Sequence, residues 1–190
     1  MKKLVIATKN QGKLIELKEI LSDLDYEILS LNDYPDAPEV EETGETFKDN
    51  AILKAQAYAN YTDEMVLADD SGLEVDALDG APGVYSSRFA EIDQARIAKL
   101  LNLLKDIPQD KRTARFKCVI AVCDQDQNIK TAEGTLEGII AFEPKGNSGF
   151  GYDPVMFVPE YNLTVAEMDN SLKNSISHRG KALKVIKEML

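Results

Sequence analysis

The hydrophobic period changes within the first 24 residues of the chain, and this change constrains the fold more than any other feature. Apolar residues run without a break over residues 4–7. Leucines then recur at helical spacing, at Leu14, Leu17, Leu21 and Leu24. An unbroken apolar run is typical of a strand buried on both faces, whereas the later spacing is typical of an amphipathic helix. The chain therefore begins as a buried strand, a polar loop and a helix, which is the building unit of α/β sheets.

A second helix is predicted after an acidic loop that contains proline and glycine. Thr46 and Asp49 have the spacing of a capping box at its start. Asn50 and Lys54 then fall one turn apart, so they share a face of this helix. The apolar run at residues 65–68 predicts a further strand that leads into two acidic residues.

The second half of the chain predicts antiparallel pairing. The strand patterns "TARFKCVIAVCD" and "IKTAEGTLEGIIAFE" are separated by the short polar turn "QDQN". A helix that ends before Pro108 precedes them, and a helix carrying Leu183, Ile186 and Leu190 closes the chain. We predict an α/β protein with one mixed, partly antiparallel sheet and flanking helices, and a single domain over residues 1–190.

Composition excludes several classes of partner. The chain has 190 residues, of which 44% are hydrophobic, enough for a core without disulfides. Its formal charge of -11 gives no general attraction for nucleic acid. No apolar stretch has the length of a membrane span, and the start turns polar too soon for a signal peptide. We expect a cytoplasmic protein in which Cys118 and Cys123 are core thiols on opposite faces of a strand.

The polar loop between the first strand and helix is a candidate anion site. Free backbone N–H groups and the helix dipole attract anions at such a turn. The loop is not a P-loop, because it has one glycine and no hydroxyl after the final lysine. A purely structural turn is the alternative. The residues of this loop are Thr8, Lys9, Asn10, Gln11, Gly12 and Lys13.

Acidic residues form a second candidate site. Asp69 and Asp70 directly follow a predicted strand, and Glu41 and Glu42 lie in the upstream loop. Carboxylate oxygens suit Mg²⁺, which prefers one or two protein carboxylates, waters and substrate phosphates. A tight turn or a solvated acidic surface is the structural alternative. The position at the end of a strand favours a ligand site, because open α/β sheets bind ligands there.

Two later stretches also carry candidate residues. In "SGFGYDP", Phe150 and Tyr152 lie on a glycine-flanked loop, either as a stacking platform for a nucleobase or as core residues, and Asp153 adds a polar group. In "KNSISHRG", the chain's one histidine, His178, stands at the start of the last helix, where Ser177 is a candidate N-cap. A Ser-His-Asp hydrolase is disfavoured because no G-x-S-x-G motif exists.

Five motifs together resemble the inosine triphosphate pyrophosphatase family: "ATKNQGK", "EETGETFKDNAILKA", "ADDSGLEVDALDGAPGVYSSRFA", "GFGYDP" and "ISHRGKAL". Their order and spacing agree over essentially the whole chain. The resemblance implies Mg²⁺-dependent hydrolysis of ITP, dITP and XTP to the monophosphate and pyrophosphate. It also implies an elongated fold with a long mixed sheet, two lobes around a nucleotide cleft, and a homodimer.

The resemblance also implies roles for individual residues. The loop from Thr8 to Lys13 holds the triphosphate, and Lys54 lies on the phosphate side. Asp70 is the catalytic proton acceptor and a metal ligand, and Ser71 touches the substrate. The second metal carboxylate is Glu41, with Glu42 as the alternative register. The base-binding set is Phe150, Gly151, Tyr152, Asp153, Lys173, His178 and Arg179.

Purine selectivity follows from the 6-position, where hypoxanthine and xanthine carry a carbonyl and adenine an amino group. We predict that Arg179 or His178 donates to that carbonyl, because a donor left facing a donor discriminates strongly. Two alternatives remain open. One is a Maf-like pyrophosphatase acting on other modified nucleotides, and the other is a nucleotide-binding module without turnover.

Overall fold

The computed structural model describes residues 2–190. Helices and strands alternate along the first half of the chain, and four further strands follow in the second half. In chain order they are β1 (Lys2–Ile6), α1 (Gln11–Ile20), β2 (Tyr26–Ser30), α2 (Phe47–Thr62), β3 (Met65–Val75), α3 (Asp93–Leu103), β4 (Thr113–Cys123), β5 (Ile129–Ile140), β6 (Met156–Val158), β7 (Leu163–Thr164), α4 (Asn170–Ile176) and α5 (His178–Lys187).

The strands form one seven-stranded sheet in the order β2-β1-β3-β4-β5-β6-β7. β1 pairs in parallel with β2 and with β3, placing Leu4 opposite Ile28 on one side and Met65 on the other. β6 is antiparallel to both β5 and β7. The prediction of an α/β protein with a mixed sheet and flanking helices is therefore confirmed.

The internal contacts divide the chain into two compact units. The first unit comprises Met1–Asp70, Cys118–Gly134 and Arg179–Leu190. The second unit comprises Ser71–Lys117 and Thr135–His178. Each unit has its own hydrophobic core. The expectation of a single domain stays a prediction.

The two cores are made by the faces that the sequence pattern assigns to them. In the first unit, β1, α1 and α5 contribute the buried side chains Leu4, Ile6, Leu14, Leu17, Leu183 and Ile186. In the second unit, β3, α3, β4 and the later segments contribute Leu73, Leu100, Phe116, Tyr152, Met156 and Met168. Burial of such side chains contributes about 2 kcal/mol each, so each unit has a substantial driving force for folding.

Side-chain caps fix the starts of the two helices that carry candidate site residues. Asn10 caps α1 by accepting a hydrogen bond from the Lys13 amide at 3.0 Å. Thr46 caps α2 by accepting from the Asp49 amide at 3.1 Å, as the predicted capping box requires. Both caps satisfy N–H groups that the helix itself leaves unpaired.

Two details differ from the sequence expectations, and a third agrees with them. α1 ends at Ile20, so Leu24 packs as a partly buried residue beyond the helix. β3 does not end before the acidic pair but continues to Val75. The reason is that its parallel pairing with β1 ends at Leu67, after which β3 extends further in the sheet as a neighbour of β4. Cys118 and Cys123 are free and buried, as predicted for core thiols.

No helix within residues 2–190 is both long enough and apolar enough to span a membrane.

Candidate functional site

The paired aspartates lie just beyond the carboxyl end of β1, in the first unit. The Ala7 amide donates to the Leu67 carbonyl at 2.8 Å, and β3 then continues into Asp69 and Asp70. Successive residues of a strand point to opposite faces of the sheet, so the neighbouring carboxylates have different partners. The tight turn considered for this stretch is therefore wrong.

Asp69 is buried among positive charges. Its Oδ2 atom lies 2.9 Å from Lys13 Nζ and 3.4 Å from Arg179 Nη2. Burial alone raises the pKa of Asp69, but the charges of Lys13, Arg179 and Lys54 outweigh burial and hold the pKa well below its usual range. Asp69 is therefore ionised in the folded protein at neutral pH.

Arg179 completes this buried charge chain. Its side chain is 3% exposed, and Nη1 lies 2.5 Å from Glu16 Oε2 of α1, while Nε and Nη2 face Asp69. Burial lowers the pKa of Arg179, but the neighbouring acidic groups outweigh burial and raise it above its usual value. The guanidinium thus joins α5 to α1 and to β3. Sequence analysis placed Arg179 in the base-binding set, whereas the structure places it with the aspartates.

Asp70 has a different environment from Asp69. Its Oδ2 accepts from Asn50 Nδ2 at 3.1 Å, and its Oδ1 lies 3.8 Å from Lys54 Nζ. Burial raises the pKa of Asp70, the charges of Lys54 and Lys13 lower it, and burial prevails. Asp70 therefore holds a proton more readily than an ordinary aspartate, which suits a proton acceptor.

Helix α2 supplies both of the partners of Asp70 named above. Asn50 and Lys54 lie one turn apart on one face, as their spacing predicts. Lys54 Nζ donates to Glu42 Oε1 and to the Asp69 carbonyl, each at 2.6 Å. Its pKa is raised, because the charges of Asp69, Asp70 and Glu42 together outweigh the lowering by burial.

The acidic loop before α2 is held against this helix by two contacts. The Gly44 amide donates to Asn50 Oδ1 at 2.7 Å, and Glu42 pairs with Lys54. A Cβ atom at Gly44 would come within 2.7 Å of the same Asn50 oxygen, so the approach requires glycine. Glu41 is exposed. The structure thus places Glu42, the alternative metal carboxylate, against Lys54, which also pairs with Asp70.

The N-terminal loop presents the start of α1 beside this cluster. Thr8 Oγ1 accepts from the Asn10 amide at 3.2 Å, which tightens the turn. Lys9 and Gln11 are exposed, and Gly12 is half-buried. Lys13 connects the loop to Asp69. The loop therefore combines the positive end of a helix dipole with a lysine side chain.

In the second unit, the glycine-flanked loop at residues 149–153 is ordered by one carboxylate. Asp153 Oδ2 accepts from the Phe150 amide at 3.0 Å and from Lys173 Nζ at 2.8 Å. The Lys173 ammonium also lies 5.1 Å from the centre of the Phe150 ring. Gly151 donates its amide to Asp93 Oδ2 at 2.7 Å, which ties the loop to the first turn of α3.

The two aromatic residues of this loop have different positions. Phe150 is half-buried, whereas Tyr152 is buried in the core of the second unit and donates its hydroxyl to the Ser86 carbonyl at 2.8 Å. Burial raises the pKa of Tyr152, so its hydroxyl stays protonated. Of the two roles considered, Tyr152 has the core role, whereas Phe150 lies outside the buried core.

His178 is neither an exposed residue nor a cap. Its side chain is buried, and its ring stacks on Phe116 of β4 at a centroid distance of 4.9 Å and an interplanar angle of 28°. The stacking fixes the plane of the imidazole at the start of α5. Ser71 is half-buried and directly follows Asp70 on β3.

Sequence reasoning missed Asn50, Glu16 and Phe116 as partners of the site residues. Asn50 had a usable signal, because it shares the helical face of Lys54. Glu16 and Phe116 had none, because each meets its partner, Arg179 or His178, through a contact distant in sequence.

A divalent metal fits the carboxylates of the first unit. Asp70 and Glu42 converge on one ammonium group, so the two acids already share a cation. No cluster of three or more histidine, cysteine, aspartate or glutamate side chains suited to a metal occurs within residues 2–190. Magnesium needs no such cluster, because it completes its coordination with waters and substrate phosphates.

The fold is that of an α/β protein. Its candidate site combines paired aspartates with a polar loop, suited to binding anions, at the carboxyl end of a parallel strand. The chain belongs to the Ham1 family, whose model matches residues 4–189. Solved structures agree. A HAM1 protein from Coxiella burnetii is 43% identical, with a TM-score of 0.90 and coverage of 100% of this chain and 98% of that one. The Staphylococcus aureus Ham1 protein is 44% identical, with a TM-score of 0.88 and coverage of 99% and 97%.

Curated relatives carry a more specific name. The dITP/XTP pyrophosphatase of Desulforamulus reducens is 59% identical over 191 residues, which cover 99% of this chain and 95% of that protein. The dITP/XTP pyrophosphatase of Bacillus subtilis is 50% identical over 193 residues, which cover 100% and 98%.

Proposed function

We propose that this protein hydrolyses deaminated purine nucleoside triphosphates, namely dITP, ITP and XTP, to the monophosphate and pyrophosphate. The observation that carries the proposal is the contrast between two adjacent aspartates: Asp69 is paired with the buried cations Lys13 and Arg179, whereas Asp70 is held by Asn50 beside Lys54. The names of the full-length relatives support the same activity.

The phosphates are held by the loop from Thr8 to Lys13 and by Lys54. The loop offers the N-terminus of α1, and the two lysines offer positive charge beside the aspartates, Lys13 at Asp69 and Lys54 at Asp70. Positive charge at this position stabilises the pyrophosphate that leaves. The local cations thus bind a polyanion although the whole chain is acidic.

Asp70 is the proton acceptor for the attacking water. Asn50 fixes its orientation by donating to Oδ2, and Lys54 keeps positive charge near Oδ1. Ser71 follows Asp70 on the same strand and contacts the substrate.

Mg²⁺ is the metal that we assign to this site, with Asp70 as one ligand. The second carboxylate is Glu42, because it already shares a cation with Asp70, while Glu41 is the neighbouring alternative. When bound, the ion supplies Lewis-acid polarisation of the phosphates.

The base is bound by the residues of the second unit. The Phe150 ring supplies a stacking surface, and Asp153 with Lys173 orders the loop that presents it. The donor to the 6-oxo group is His178, because the Arg179 guanidinium is already directed at Glu16 and Asp69. Gly151 gives the loop its backbone conformation at a φ of 61°.

The proposal includes a cytoplasmic homodimer, as the sequence resemblance implies. The substrate is a small molecule, and no nucleic acid or membrane takes part.

Product analysis tests the proposal. The purified protein is incubated with ITP and Mg²⁺, and the nucleotide and phosphate products are separated. We expect IMP and pyrophosphate in equal amounts, and no products in EDTA. IDP with inorganic phosphate would contradict the proposed bond cleavage. ITP binding without products would favour a nucleotide-binding module, and preference for a modified pyrimidine triphosphate would favour a Maf-like enzyme.

A further inference from the structure

The ammonium group of Lys54 lies in a cage of oxygen atoms. It is within 2.6 Å of Glu42 Oε1, 2.6 Å of the Asp69 carbonyl and 3.8 Å of Asp70 Oδ1. The side chain of Lys54 is 12% exposed. Two carboxylates and one carbonyl are the oxygen ligands that a hard divalent cation prefers. The lysine therefore occupies a position whose chemistry is that of a metal site.

Glu42 depends on Lys54 for its place in this cage. It lies in the irregular segment before α2, outside every helix and strand. Within residues 2–190, the one ion pair of its carboxylate is with Lys54. The lysine therefore holds the second carboxylate next to Asp70 when no metal is present.

We propose that Lys54 is a placeholder cation, which occupies the metal site of the free protein and yields it only when a triphosphate arrives. The inference rests on the proposed function, since it requires a metal between Asp70 and Glu42. It assigns to Lys54 a role in the order of binding, in addition to its contact with phosphate.

Charge balance gives the physical reason. If a divalent ion entered the cage while Lys54 remained, three positive charges would face the two carboxylates of Glu42 and Asp70. The Lys54 ammonium and the divalent ion would repel each other strongly, because both would lie in one partly buried cage. A triphosphate brings several negative charges and gives the ammonium a new partner. Metal and nucleotide therefore enter together, and the free protein binds the metal weakly.

Removal of the ammonium tests this role without any need for turnover. Binding of Mn²⁺ alone, with no nucleotide, is measured by electron paramagnetic resonance for the unmodified protein and for Lys54→Met. Methionine keeps the length of the side chain and removes its charge. We expect Lys54→Met to bind Mn²⁺ at least about tenfold more tightly, because one repelling charge beside the ion is gone.

Three further variants make the result specific. Lys117→Met removes a lysine that pairs with Glu74 at 3.4 Å elsewhere in the chain, and it should leave the Mn²⁺ affinity unchanged. Lys54→Arg keeps the charge and should keep weak binding. The double variant Lys54→Met/Asp70→Asn should lose the gain, because the tighter ion needs Asp70. Circular dichroism verifies that each variant is folded.

A second readout guards against altered folding of Lys54→Met. We expect MgCl₂ to raise its melting temperature, whereas that of the unmodified protein should change little, because only a protein that binds the ion alone is stabilised by it. Equal Mn²⁺ affinities for Lys54→Met and the unmodified protein would overturn the inference, as would a gain that survives Asp70→Asn.

The inference and the proposed function fail in different ways. If the unmodified protein releases pyrophosphate from ITP but Lys54→Met gains no Mn²⁺ affinity, the placeholder role is wrong and the activity stands. If Lys54→Met gains affinity that Asp70→Asn removes, while no nucleotide is hydrolysed, the placeholder stands and the proposed activity is wrong.

Discussion

Asp69 and Asp70 are chemically identical neighbours that the fold makes different. Alternation along β3 directs Asp69 towards Lys13 and Arg179, and Asp70 towards Asn50 and Lys54. The first carboxylate is stabilised as an anion, and the second is held in an environment that disfavours its charge. In the proposed function, Asp69 therefore serves structure and Asp70 serves chemistry.

Matched asparagine substitutions should change stability in opposite directions at neutral pH. Asp69→Asn leaves buried cations without their anion and should cost about 3 kcal/mol of unfolding free energy. Asp70→Asn removes a charge that burial disfavours. It should stabilise the folded protein by about 1 kcal/mol while abolishing pyrophosphate release. Urea denaturation of both variants measures the difference, and loss of stability in both would contradict the assignment.

The pH dependence of stability follows from the same shifts. The folded pKa of Asp69 is depressed, so its contribution is present above the ordinary aspartate pKa and is lost as pH falls towards the folded value. The folded pKa of Asp70 is raised, so its cost appears as pH rises through that range and persists above it. Asp70→Asn should therefore gain stability at neutral pH but little in acid, where the native carboxyl is protonated.

Selectivity for the 6-oxo group should depend on His178 and not directly on Arg179. We expect His178→Phe, which keeps an aromatic ring for stacking on Phe116, to reduce the ITP-to-ATP ratio of kcat/KM by about tenfold or more. Arg179→Lys should lower stability, because the bonds to Glu16 and Asp69 are not reproduced by a single ammonium. A full ITP preference in His178→Phe would contradict this account.

At the scale of elements, helix α2 holds the loop before it in place through Asn50 and Lys54. The Thr46 cap starts the helix, Asn50 accepts from Gly44 in the loop, and Lys54 reaches both Glu42 and Asp70. Residues on consecutive turns of one helix face thus set the positions of a loop and of a strand residue.

Gly44→Ala should disrupt this arrangement. The added methyl would lie 2.6 Å from Asp49 Cβ and 2.7 Å from Asn50 Oδ1, so the loop must move away from α2. We expect a loss of about 2 kcal/mol of stability and a raised Mg²⁺ requirement for activity, because Glu42 moves with the loop. Thr43→Ala, at an exposed neighbour, is the control and should behave as the unmodified protein. Equal Mg²⁺ requirements in both variants would count against a role for this loop.

The sequence predicted those elements whose signals are local. The N-cap at Thr46, the period change in the first strand and helix, and the turn between β4 and β5 all depend on neighbouring residues. It named candidate site residues but not their partners. The extension of β3 through the aspartates depends on a neighbouring strand, and the pairing of Arg179 with Glu16 joins residues far apart in sequence. No periodicity encodes such contacts.

At the scale of the whole molecule, the net charge is negative, yet positive side chains lie directly beside the two aspartates of the site. The chain carries a net charge of -11, yet lysines and an arginine surround its aspartates. Fields inside a partly buried site depend on the nearest groups, whereas net charge governs solubility and non-specific association. An acidic protein can therefore hold a polyanionic substrate without attracting nucleic acid.

Unfolding of the whole chain should be a single transition. β3, β4 and β5 each have residues in both compact units, so neither unit contains complete strands of its own at these positions. We expect calorimetric and van't Hoff enthalpies to agree, as for a two-state domain. Two separate thermal transitions would contradict the prediction of a single domain over residues 1–190.

The most direct test of the central claim is a comparison of pyrophosphate release from ITP, dITP, XTP, GTP and ATP at equal concentration, with Mg²⁺ present. The account predicts kcat/KM values for the three deaminated nucleotides at least about a hundredfold above those for GTP and ATP, because a site built around a 6-oxo acceptor leaves donors unpaired when adenine enters and must reject guanine by further contacts. Equal rates for all five nucleotides, or no release from any of them, would contradict it.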